Sequence, residues 1–170
     1  MKIWSNDFKH ETMIPSKFTC DADDFNPHLA WDDVPAGTKS LALICDDPDA
    51  PVGLWVHWLV CDISPSTREI PQRSVPKGAR QVPNDFRKVQ YGGPCPPSGT
   101  HRYFFKLYAL KVDTLQAKDK KAFYAEVDKN KIAEAVLLGI EDQARRAARG
   151  RENARRGVIR AASGAGDFPA

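Results

Sequence analysis

Histidine, tyrosine and aspartate are the side chains here that combine titration with hydrogen bonding, and several stand at the ends of apolar runs. "TKSLALICDD", Thr38 to Asp47, closes on Asp46 and Asp47, with Asp49 following Pro48. "LWVHWLVCDI", Leu54 to Ile63, carries His57 between apolar neighbours. "GGPCPPSGTHRYFFKLYAL", Gly92 to Leu110, joins a loop of glycines and prolines to a run that opens with His101 and Tyr103. Imidazole, phenol and carboxylate together suit two tasks. They can hold a small anion through N–H and O–H donors, or move protons in acid–base and nucleophilic catalysis. A carboxylate such as Asp47 repels an anion directly. It can still orient a histidine by accepting its second N–H, or receive the ammonium of a zwitterionic ligand. Each residue also has a plainer role. Aspartates before proline cap turns, and a histidine among apolar neighbours can be a core residue bonded to a carboxylate.

The three runs read as strands because they are short, apolar and bounded by turn residues. Strand alternation puts Trp55, His57, Leu59 and Cys61 on one face and Val56, Trp58 and Val60 on the other. It also groups His101, Tyr103, Phe105, Leu107 and Ala109. If the strands are neighbours, their polar ends meet beside the Gly-Pro loop. The long connection between the second and third runs is rich in Pro, Gly, Arg and Asn, as functional or wrapping segments are. Beyond Asp113 the spacing predicts helices over 116–126 and 128–140. Asp128 is the candidate N-cap of the second, and Ile132, Ala135, Val136 and Gly139 supply its helical period. Strands first and helices last predict a mainly β domain with a helical C-terminal part.

With 170 residues, 42% of them hydrophobic, the chain suits one domain with a real core. No apolar segment has the length of a signal peptide or a membrane span, so a cytoplasmic location is expected. The four cysteines form no Cys-x-x-Cys pair, and Cys45 and Cys61 lie in apolar runs as expected of buried thiols. His57 and His101 show no local metal-ligand spacing, and no cofactor motif is present. Seven arginines and four acids after residue 140 account for the whole net charge of +3. The body is therefore charge-balanced and offers no footprint for nucleic acid.

"DDPDAP", "HW" within ten residues of it, and "GPCPPSGTHRYFFKLYAL" resemble the signature blocks of the phosphatidylethanolamine-binding protein family. The match is to its bacterial, Raf-kinase-inhibitor-like branch, and "IPSKFTCDADDFNPHLAWDDVPAGTKSLALICDDPDAP" adds to it. The resemblance covers residues 1–140, including the expected C-terminal helices. The Arg- and Ala-rich extension over 141–170 reads as helical and then frayed, or as a basic contact for anionic lipid. The resemblance implies an antiparallel β-sandwich and a small anion pocket for phosphate, phosphorylated small molecules or phospholipid head groups. It also implies a homodimer, a kinase-inhibitor-like effect on a protein partner, and no enzymatic activity. Carried over by position, Asp47, His57, His101 and Tyr103 are its polar groups, and Asp49 is the second aspartate of the first block. Trp55 is a rim aromatic, and Cys95, Pro96 and Pro97 form one wall. The chain departs from relatives at its end, where Ile140 and Glu141 replace a Thr-Tyr pair.

The residues also allow a hydrolase. Cys95 or Ser98 would be the nucleophile, His57 or His101 the base and Asp47 its orienter. The first reading, a binding module, needs no nucleophile at all.

Overall fold

The apolar run that ends at Asp47 lies in the interior of a sheet, and all eight of its residues, Ser40–Asp47, are buried. The computed structural model describes residues 1–145 together with 147 and 148. In chain order the strands are β1 (Lys2–Trp4), β2 (Thr12–Met13), β3 (Leu29–Asp32), β4 (Ser40–Asp47), β5 (Trp55–Ile63), β6 (Glu69–Ile70), β7 (Arg80–Gln81), β8 (Thr100–Leu110) and β9 (Lys131–Asp142). One α-helix, α1 (Lys120–Asn130), precedes β9. A small sheet has the order β1-β3-β6 and a large one the order β2-β9-β8-β4-β5-β7. Pairing is antiparallel except between β2 and β9.

The two sheets pack face to face over Trp31, Leu41, Leu43, Trp58, Phe105 and Leu107. Alternation on β4 sends Ala42 and Ile44 to the other face, where α1 covers them with Phe123 and Val127. The result is a β-sandwich with a small helical layer, as expected. Buried Cys45 and Cys61 are free thiols. Burial pushes the Cys61 thiol up to about 12 and the Cys45 thiol well above its ordinary value.

Two expectations fail at the C-terminal end. The first helix starts at Lys120, after Asp119, whose carboxylate caps it by accepting the Ala122 N–H at 2.9 Å. Asp128 lies inside this helix and caps nothing. The second helix, expected over 128–140, does not exist. Residues Lys131–Asp142 are β9, paired with β8 from Leu110↔Lys131 to Thr100↔Asp142. The segment supports both periods, because Ala133, Ala135, Leu137 and Gly139 also alternate. The open edge of an eleven-residue β8 decides between them, since pairing satisfies a full row of backbone groups. β9 takes in the first two residues of the expected extension. Most of that extension lies outside the described residues. Among the described residues, no helix is long and apolar enough to cross a membrane.

Candidate functional site

β4 lies between β5 and β8, so the strands carrying His57 and His101 flank the one carrying Asp47. The faces of β8 follow simple alternation: Tyr103, Phe105, Leu107 and Ala109 share the sandwich core. Those of β5 do not. Asp46 pairs with Val56 and Cys45 with Trp58, which leaves His57 as an extra residue opposite nothing. Such a bulge re-aims a side chain. It turns His57 to the face of Trp58 and Val60 and not to that of Leu59 and Cys61, where strict alternation put it. There the His57 ring meets Tyr103 edge-on, with centroids 5.1 Å apart.

These side chains line a cavity of about 270 Å³. Asp47, Trp55, His57, Cys95, Pro97, His101 and Tyr103 all contribute, seven of the nine residues singled out in the sequence. Asp49 does not: its carboxylate takes two guanidinium bonds from Arg102, both at 2.8 Å, and its N–H donates to Asp47 Oδ1 at 2.8 Å. It acts as a clamp behind the site, and the Arg102 guanidinium holds its carboxyl below the usual range. Pro96 is buried in the wall without lining the cavity. Phe86 and Val52 line it and were missed. Both come from irregular loops, where no periodicity says which side chain turns inward.

Each polar group is held in a defined state. His57 Nδ1 lies 2.6 Å from the Gly92 carbonyl oxygen and must donate to it, so the lone pair sits on Nε2. Burial holds the imidazole below its ordinary pKa, against the opposing pulls of the Gly92 carbonyl and the Asp47 charge. His101 Nδ1 donates to Asp47 Oδ2 at 2.7 Å, and both residues are buried. The Tyr103 hydroxyl is fully buried and has no hydrogen-bond partner among the described residues. Burial, then the Asp47 charge, push its pKa far up, so it remains a donor. The Cys95 N–H opposes that rise but lies outside hydrogen-bonding geometry. Glu141 stands across from His101 in the β8–β9 register and is buried, so the residue that replaces the expected tyrosine brings a second carboxylate near the site. Among the described residues, no group of three His, Cys, Asp or Glu side chains has metal-holding geometry.

The proline loop gains its rigidity from outside itself. Cys95 is disulfide-bonded to Cys20, which the spacing of the cysteines did not disclose. Around that bond the Gly93 N–H donates to Asp24 Oδ1 at 2.6 Å, the Cys20 N–H to the Pro94 carbonyl at 3.1 Å, and the Tyr91 hydroxyl to the Phe18 carbonyl at 3.0 Å. The disulfide also removes the thiolate that the hydrolase reading placed at Cys95. Ser98, its alternative nucleophile, sits on an exposed turn and does not line the cavity.

Asn84 is a further positioning residue. Its amide donates to the His57 and Gln90 carbonyls, both at 2.8 Å, and its oxygen accepts the Phe86 and Lys88 N–H groups, both at 3.0 Å. One buried side chain thus ties the 84–92 loop to the bulge. Asn84→Ala should cost about 1–3 kcal/mol by stranding these groups. Denaturant unfolding checks this, and an unchanged midpoint would show that water replaces the amide.

The phosphatidylethanolamine-binding protein family model matches residues 4–140. A protein of Aquifex aeolicus described as a UPF0098 protein is 44% identical over 149 residues, covering 82% of this chain and 87% of that one. The UPF0098 protein YbhB of Escherichia coli is 42% identical over 132 residues, covering 70% and 84%. The fold matches the crystal structure of a PEBP homologue, CT736 of Chlamydia trachomatis, at TM-score 0.77 and 35% identity, covering 84% and 97%. It matches E. coli YbcL, described as a new member of the mammalian PEBP family, at TM-score 0.79 and 31% identity, covering 83% and 97%. A family model over most of the chain, and a sandwich shared with solved homologues, lead to one conclusion: this chain belongs to the phosphatidylethanolamine-binding protein family.

Proposed function

We propose that the cavity binds a small phosphate-bearing ligand and holds it without chemical change. Phosphate, a phosphorylated small molecule and a phospholipid head group all present the required chemistry. The observation that carries this reading is Tyr103, which lines the cavity with two fixed imidazoles and whose buried hydroxyl has no hydrogen-bond partner among the described residues. A donor left this way costs about 1–3 kcal/mol, which a bound oxygen would recover. With both Nδ1 atoms committed, each Nε2 is an acceptor while its ring is neutral and a donor once protonated. The site therefore matches phosphate best when one proton enters with it, either as a P–OH donating to His57 Nε2 or on an imidazole.

Proton uptake fixes the pH dependence. The free His57 is held below its ordinary 6.5, and a phosphate monoester loses its second proton near pH 6. Above about pH 7 neither free partner carries the proton, so affinity should fall about tenfold per pH unit and level off below about 6. In the unliganded protein the sign for stability is opposite. The folded state binds this proton less readily than the unfolded state, so stability from His57 is present above about 6.5 and is lost as pH falls below it. Titrating inorganic phosphate and phosphoethanolamine while following the His57 and His101 imidazole signals tests the reading. Tyr103→Phe should weaken binding at least about tenfold, the effect of losing one bond to a charged group. Imidazole signals that stay fixed up to millimolar ligand would sink it.

A further inference from the structure

A second cavity, of about 310 Å³, is lined from β5 by Trp58 and from β7 by Gln81, and it shares no lining residue with the first. The bulge that turns His57 sets two consecutive residues on one face, His57 lining one cavity and Trp58 the other. Several polar side chains of the second cavity are already spent. Trp58 Nε1 donates to Gln81 Oε1 at 2.6 Å, and the Tyr91 hydroxyl donates to the Phe18 carbonyl. The Asn26 amide donates to the Pro27 and Pro71 carbonyls, and its oxygen accepts the Ser74 N–H. What remains is of both signs. Asp24 Oδ1 accepts the Gly93 N–H, but Oδ2 takes no hydrogen bond or ion pair among the described residues. The Arg73 guanidinium meets Asp23 through one nitrogen and lies 3.7 Å from the Phe25 ring centroid, and its other N–H groups find no acceptor among the described residues. Gln81 is oriented by Trp58, and its amide nitrogen makes no hydrogen bond among the described residues. Ser74 and Gln90 add only neutral groups. Asp24 and Arg73 both hold left-handed backbone, at φ 53° and φ 56°, a conformation that non-glycine residues seldom adopt and that gathers at ligand clamps.

We infer that this second cavity binds a free α-amino acid with an apolar side chain. Its volume lies at the lower end of small-molecule sites, about 300–1,000 Å³, so the ligand is small. A carboxylate and a guanidinium lining one cavity suit a zwitterion. The ammonium takes Asp24 Oδ2, and the carboxylate takes the remaining Arg73 and Gln81 N–H groups, in hydrogen bonds strengthened by charge. The apolar side chain lies against the Trp58 and Tyr91 rings, which meet edge-on with centroids 5.6 Å apart. A simple anion would meet Asp24 and a simple cation Arg73, so neither uses the whole set. Nothing in this recognition depends on what the first cavity holds.

The experiment titrates L-phenylalanine into the full chain and follows the Trp58 indole N–H signal. The amino acid should move that signal at millimolar concentration or below. N-acetyl-L-phenylalanine, which lacks the ammonium, and L-phenylalanine amide, which lacks the carboxylate, should each bind about tenfold more weakly or worse. Asp24→Asn keeps an acceptor for the Gly93 N–H and removes the charge, while Gln81→Glu keeps an acceptor for Trp58 and removes the donor. Each should weaken phenylalanine binding about tenfold or more, in protein that still unfolds cooperatively. Where a variant fails to fold, the two analogues on wild-type protein decide. A Trp58 signal that stays fixed would overturn the proposal. So would an analogue that binds as tightly as the amino acid, because apolar contact alone would then hold the ligand. Phenylalanine that moves the His57 signal and leaves Trp58 in place would overturn it too, since it would occupy the first cavity.

Discussion

Opening the Cys20–Cys95 disulfide, by reduction or by Cys20→Ser/Cys95→Ser, should lower the unfolding free energy by about 2–4 kcal/mol. The bond joins residues 75 positions apart, so it removes many conformations from the unfolded chain. The three hydrogen bonds around it hold the same two loops, but each is worth only about 1 kcal/mol net. The covalent link therefore contributes most to their registration. Its loss should also be felt in the cavity, because Cys95 and Pro97 form part of the wall. Phosphate affinity should drop while the β4–β5–β8 sheet, which the bond does not touch, keeps its spectrum. Denaturant curves of oxidised and reduced protein make the comparison. Superimposable curves would show that the disulfide is incidental to stability.

Gly93→Ala should be the most damaging small substitution in the wall, at about 3 kcal/mol or more. A Cβ at this position would stand 2.3 Å from the Phe18 carbonyl oxygen, 2.5 Å from Asp24 Oδ1 and 2.9 Å from Thr19 Cα. Two of these are backbone atoms of the loop that the disulfide staples in place, so neither side can recede. Gly92→Ala provides the contrast. Its Cβ would meet the Phe86 ring edge at 2.8 Å, and that ring stands partly exposed at the cavity mouth with room to swing. It should cost less in stability and more in the shape of the mouth. Thermal unfolding of the two variants side by side decides the matter. A Gly93→Ala protein melting like the wild type would mean that the 16–24 loop is softer than its contacts imply.

The cavity was legible to the extent that it depends on strand ends. Asp47, His57, His101 and Tyr103 each lie at the end of an apolar run, and the Gly-Pro loop adjoins the last pair. Strand alternation placed Tyr103 with Phe105 and Leu107, where it is found. It misplaced His57, because a bulge is a matter of registry between β4 and β5 and leaves no mark in the residues of β5 alone. Asn84 was equally hidden: an asparagine in a long loop reads as turn chemistry, and three of its four partners are in that loop, but the fourth, the His57 carbonyl, lies 27 residues away.

The β-rich class, the three long strands of the site and the chemistry of its polar groups all follow from the order of the amino acids. They depend on local pattern and residue type, which short stretches carry whole. Three other features emerge only in the folded chain: 131–142 is a strand, Cys20 meets Cys95, and His57 is turned toward Tyr103. The reason is common to all three. Each depends on a partner distant in the chain, an open edge of β8, a loop 75 residues away or the register of β4, and a sequence read along its length holds no distance between such partners.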